Sequence, residues 1–148
     1  MAGNNDPIYT RVADIQFAAT NPIAAAVTAG NISAYNGTDA NAVLIYTADA
    51  TNGSFVQRVR LKCGAITGTS AASVMRFWVN NGSTVGTASN NGYIGEQALP
   101  AVVVSASAVT VEIDYLLNIP LPPGYKLYAG LGTAVTTGWH VTVIGGKY

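Results

Sequence analysis

The apolar and polar positions of this chain alternate in short runs. The clearest is Val56-Gln57-Arg58-Val59-Arg60-Leu61-Lys62-Cys63, where Val59, Leu61 and Cys63 fall on one face of an extended strand and Arg58, Arg60 and Lys62 on the other. Val111, Ile113 and Tyr115 alternate in the same way with Glu112 and Asp114, and Trp139, Val141 and Val143 with His140 and Thr142. Seven runs rich in β-branched and aromatic residues are expected as strands, over 43–47, 55–66, 73–79, 101–104, 109–119, 126–131 and 139–144. Strands with one apolar and one wet face belong to antiparallel sheets, and stacking two such sheets buries this many inner faces. The expected fold is all-β: an antiparallel two-sheet β-sandwich, jelly-roll-like.

Turn signals punctuate these runs. Asn-Gly occurs four times, at Asn36-Gly37, Asn52-Gly53, Asn81-Gly82 and Asn91-Gly92, and each is expected to be a tight turn between strands. Leu121-Pro122-Pro123-Gly124-Tyr125 reads as a further turn, because proline presets φ and the following glycine accepts a positive one. Residues 1–34 lack this clarity. Pro22, Gly30 and scattered Asn favour an extended N-terminal arm with a short strand near 15–17, although the alanines at 24–26 could form one helical turn. The chain therefore divides into an arm, 1–34, packing on or extending from the domain, and a β-sandwich domain, 35–148. No tandem repeat, heptad or charge run is visible.

Composition narrows the function. With 148 residues the chain suits one domain. Only 9% of residues are charged against 49% hydrophobic, so the surface polarity must come from Asn, Thr, Ser and Gly, which disfavour long surface helices. The formal net charge is zero, which removes long-range steering toward nucleic acid or an anionic membrane. A neutral, sparsely charged surface also favours self-association. Cys63 is the single cysteine, so no intrachain disulfide can form, and it reads as an inert core residue. The opening residues have no basic cluster and no apolar run reaches about 18 residues, so neither a signal peptide nor a membrane-spanning helix is expected.

Candidate chemistry is sparse. His140 is the only histidine and has no neighbouring ligands at metal-binding spacing, so it reads as a surface strand residue. Gly-x-Ser-x-Gly is absent, and the glycines near Lys126 do not match a phosphate-cradling loop. Glu112 and Asp114 share one strand face at a separation glycosidases also use, but such enzymes bring their carboxylates from different elements. Arg58, Arg60 and Lys62 form a matching basic row, and facing rows of opposite charge stabilise a sheet. That row alone falls short of a nucleic-acid footprint. Four Asn-x-Ser/Thr triplets, at Asn31, Asn36, Asn52 and Asn81, follow from composition. Trp78, Trp139 and the eight tyrosines could build a sugar-stacking face, though on strands they more often fill cores and interfaces. No catalytic, cofactor-binding or metal residue is expected.

From Val43 onward the order of strand and turn residues resembles a family of small structural proteins of tailed bacteriophages. The resemblance runs through Leu44-Ile45-Tyr46-Thr47-Ala48, Asn52-Gly53-Ser54, Val56-Gln57-Arg58-Val59-Arg60-Leu61-Lys62 and Val74-Met75-Arg76-Phe77-Trp78-Val79-Asn80-Asn81-Gly82. It continues through Glu96, Leu99-Pro100, Leu121-Pro122-Pro123-Gly124-Tyr125-Lys126-Leu127, Gly138-Trp139-His140-Val141 and Gly145-Gly146-Lys147-Tyr148. Such proteins are similar to capsid decoration or cement proteins, and the resemblance implies a non-enzymatic virion component on the outer capsid surface, made in the bacterial cytoplasm. It implies two partners, the major capsid protein and further copies of the chain, as a homotrimer, with no cofactor, nucleic acid or membrane. The rival expectations are a tail, neck or fibre protein and a carbohydrate-binding β-sandwich.

Overall fold

The computed structural model describes residues 10–27, 36–64 and 68–148. Among these, ten strands form: β1 (Val12–Phe17), β2 (Val43–Thr47), β3 (Ser54–Cys63), β4 (Gly68–Ser70), β5 (Ser73–Asn80), β6 (Asn91–Leu99), β7 (Val102–Val104), β8 (Glu112–Leu121), β9 (Lys126–Leu131) and β10 (Trp139–Lys147). Sheet A has the order β1-β10-β3-β8, sheet B the order β2-β9-β5-β6, and β4 pairs with β7 in a small ribbon. With the ribbon set aside, the first strand lies beside the last and the second beside the next to last, and successive strands mostly alternate between sheets. This is jelly-roll winding, the two-sheet solution to burying many short antiparallel strands.

The core lies between the two sheets. Val56, Val59, Leu61 and Cys63 of β3 point inward, as do Val141 and Val143 of β10, opposite Met75 and Phe77 of β5 and Leu127, Ala129 and Leu131 of β9. Phe77 stacks on Tyr115 of β8 with ring centroids 4.8 Å apart, so the two sheets interlock through aromatic faces. Sheet B is covered on its other side as well, because Trp78 and Tyr128 pack there with Val27, Ala42, Leu44 and Val85. The run Val74-Met75-Arg76-Phe77-Trp78-Val79 is nearly continuous in apolar character for that reason: β5 is buried on both faces. Each fully buried large side chain of this kind contributes roughly 1.5–3 kcal/mol. Among the described residues nothing comparable covers the outer face of sheet A.

All-β character and the two stacked antiparallel sheets agree with the alternation in the sequence. Several details differ. Asn91-Gly92 is not a turn; it opens β6, paired with Val79 and Asn80, and the β5–β6 connection turns at Asn81-Gly82 instead. The Asn91 side chain explains the difference, since it donates to Val85 O and Asn36 O and accepts from buried Asn80, tying the loop to the strand. Asn52-Gly53 does turn, but from sheet B to sheet A, so it makes no hairpin. Pro123-Gly124 forms the expected turn, with Gly124 at φ +74° and Tyr125 N donating to Pro122 O. The alanines at 24–26 form no helix.

Residues 10–27 are woven into the sandwich: β1 is the outer strand of sheet A, Ile23 bridges to Trp139, and Ile23 and Val27 are buried. The rest of the expected arm, 1–9 and 28–34, lies outside the described residues. So do the strand end expected at 65–66 and the Asn31 triplet.

Candidate interaction surface

On the outer face of sheet A the side chains stand in columns set by strand register. Arg60 lies opposite Asp114, and Lys62 opposite Glu112. The Arg60 guanidinium donates to both Asp114 oxygens, at 2.9 and 3.1 Å, and its Nε lies 3.3 Å from Glu112 Oε1. Arg58 approaches the same Asp114 carboxylate at 3.6 Å. The hydrogen bond from Arg60 is the main reason the Asp114 carboxyl titrates below its ordinary value, and Asp114 in turn raises Arg60. Glu112 and Asp114 are thus both engaged by the neighbouring strand. Farther along this pair of strands the register shifts, and Asn118 takes up a left-handed φ of +50° there, a conformation asparagine tolerates better than most residues.

At the other edge of the same face, β1 presents Ala13, Ile15 and Phe17 to solvent and turns Asp14 and Gln16 toward the other sheet. Ile15 is 57% exposed and Phe17 64%. The usual sense of an amphipathic strand is inverted, and a specific set of hydrogen bonds holds it so. The Gln16 side chain accepts from Thr47 N and donates to Thr47 O, both at 2.9 Å, closing the edge of β2 as a strand backbone would. Asp14 accepts from the buried Tyr46 hydroxyl at 2.8 Å and from Gln16 Nε2 at 2.9 Å. Burial, more than the nearby carboxylates, pushes the Tyr46 phenol well above its usual range. A slip of one residue would bury Ile15 and Phe17 but would break the three bonds to Tyr46 and Thr47. Of this arrangement only the short strand is legible in the sequence. Its alternation is plain, but which face turns inward depends on Tyr46 and Thr47, more than thirty positions away.

A shallow cleft of about 360 Å³ opens at one end of sheet A, between Lys62, Cys63 and His140 and the loop carrying Val109 and Thr110. His140 stands on β10 opposite Lys62, in the surface strand position expected of it. Cys63 is buried, its Sγ 3.7 Å from Thr137 Oγ1. Among the described residues no three His, Cys, Asp or Glu side chains come together as a metal site. Val109, which lines the cleft, is 97% exposed, and Val103 of β7 is 82% exposed; alternation singled out neither.

The tryptophans offer no sugar platform. Trp78 and Trp139 are both fully buried, Trp78 beneath the loops covering sheet B and Trp139 in the core between the sheets. That agrees with the reading of strand tryptophans as core residues: each lies on a face that closes against other parts of the chain. No helix among the described residues is long and apolar enough to cross a membrane. Compared with known proteins, the chain matches no family model, no curated protein and no solved structure.

Proposed function

We propose that the chain is a non-catalytic structural protein of a tailed-bacteriophage virion, a decoration or cement protein that binds and stabilises the shell of major capsid subunits. One observation carries the reading: on the outer face of sheet A two arginines are paired with two carboxylates of the same sheet, while large apolar side chains stand exposed. Arg58 and Arg60 are matched to Asp114 and Glu112 within sheet A, whereas Val103, Val109 and Leu116 stand in solvent. Such a surface attaches by shape and apolar contact, not by field. The residue pattern from Val43 onward, which resembles phage structural proteins, supplies the virion context. Attachment at many equivalent sites makes modest contacts sufficient, since linked engagement strengthens binding by roughly 10²–10⁴-fold when geometry permits.

Cryo-electron microscopy of virions assembled with and without the chain tests this directly. The expected result is extra density on the outer shell that disappears with the protein; density in the tail or neck, or none, overturns the capsid assignment. In co-sedimentation with assembled heads, moderate salt should release little of the bound protein. Release by such salt would refute docking through uncharged contacts.

A further inference from the structure

β1 is an edge strand, and no strand lies beyond it among the described residues. Its backbone polarity follows from the ladder to β10. Ala18 N donates to Val141 O, so the backbone of Ala18 faces β10, while Val141 N on the same side donates to Asn21 Oδ1. Alternation along an antiparallel ladder then directs the backbone groups of Val12, Asp14 and Gln16 to β10, and those of Ala13, Ile15 and Phe17 to the open side. Ala19 N, which donates to Leu44 O away from β10, fits this alternation. Soluble proteins usually blunt such an edge with proline, a bulge or an outward lysine. The strand Val12–Phe17 has no proline, no lysine and no register break with β10. Its one edge-protecting charge is the inward Asp14, which accepts hydrogen bonds from Tyr46 and Gln16. Arg11 N, just before the strand, also donates to Lys147 O, a bulge-like contact confined to its start.

We infer that two copies of this chain pair along β1, antiparallel about a twofold axis at Ile15, joining their A sheets into one continuous sheet. The strand is complementary to itself in that register. Ile15 meets Ile15 of the second copy, small Ala13 meets large Phe17, and the Asp14 carboxylate lies opposite the Gln16 amide. All three hydrogen-bonded positions keep their apolar side chains on the outer face, where they form a single stripe across the junction. A residue on a twofold axis faces its own copy, so a charge there would repel itself, and the position is occupied by isoleucine. The formal net charge of zero adds no long-range repulsion between copies. The inward bonds of Gln16 and Asp14 preorganise this edge, because they set which face of β1 is presented before a second copy arrives.

The contact is independent of the capsid reading, since it is measured on free protein. Sedimentation equilibrium of the full chain in the micromolar range is expected to give the mass of two chains, or a multiple of that dimer. Ile15→Lys and Ile15→Glu should each reduce it to one chain, and an equimolar mixture of the two variants should restore the two-chain mass. The side chain points to solvent, so both variants should retain the wild-type circular dichroism. If either fails to fold, Ile15→Cys provides the second measurement: hydrogen-bonded antiparallel partners hold their Cα atoms about 5.5 Å apart, within disulfide reach, so mild oxidation should give a covalent dimer. A wild-type mass of one or three chains, an unchanged mass in Ile15→Lys, a mixture that fails to reassociate, or no cross-link in Ile15→Cys overturns the proposal. A wild-type monomer that recruits a strand from a different protein overturns it as well.

Discussion

At Gly53 the backbone φ is +77° and an added Cβ would stand 2.5 Å from Leu121 O, a carbonyl with nowhere to retreat inside the β3–β8 pairing. Gly124 has nearly the same φ, +74°, but open space around it. The two glycines separate the conformational from the steric part of a glycine's role. Gly124→Ala should lower stability by about 1–2 kcal/mol, the left-handed penalty for a side chain, while Gly53→Ala should lose about 3 kcal/mol or more through added overpacking. Urea unfolding of the two variants checks the difference, and equal losses would contradict it.

Acid sensitivity is also a residue-scale property. Asp49 accepts backbone hydrogen bonds from Asn52 and Thr51, and these, Asn52 first, lower its carboxyl below the ordinary 3.8; Asp114 is lowered chiefly by Arg60. A depressed folded-state value means that the unfolded chain binds the proton first. The stabilisation is therefore complete above about pH 4 and is lost as the pH falls below it. Melting temperature should drop on acidification through that range, and less steeply in Asp114→Asn and Asp49→Asn than in the parent.

At the scale of elements, what distinguishes β1 from the other strands is the polar lock on its inner face. Tyr46→Phe removes the hydroxyl that Asp14 accepts from and is expected to lower stability by about 1–2 kcal/mol, readable in denaturant unfolding. It should also lessen the stability loss above about pH 10, where the unfolded chain ionises a tyrosine that burial keeps neutral in the fold, the remainder including Tyr128, which burial raises as well. The strands most legible in the sequence, β3, β8 and β10, are those with one apolar face in the core and one wet face, because side-chain period alone describes them. β6 was illegible for the opposite reason. Its Asn91-Gly92 start mimics a turn, its apolar content is low, and it is held by pairing with β5 and by the Arg76–Glu96 ion pair at 3.3 Å. The short ribbon strand β4 left no mark either, since Gly68-Thr69-Ser70 becomes a strand only through β7.

For the whole molecule, the winding has a kinetic consequence. Strands adjacent in sheet A come from opposite ends of the chain, with β1 beside β10 and β10 beside β3, so most of the ordering must precede the contacts that reward it. Refolding after rapid dilution from denaturant should therefore take roughly milliseconds to seconds, as for other non-local β topologies; a microsecond phase completing the fold would contradict this. The sequence by itself determined that the protein is built of strands, that those strands stack as two sheets, and that the surface carries little charge, because alternation and composition act locally and need no partner to be read. Only the tertiary structure decided which strands neighbour one another, that Glu112 and Asp114 are taken up by Arg58 and Arg60, that both tryptophans are closed off, and that β1 turns its apolar side outward. Each of these depends on residues far apart in the chain meeting across a sheet or between sheets, and hydrogen-bond register, which periodicity does not encode, selects the partner.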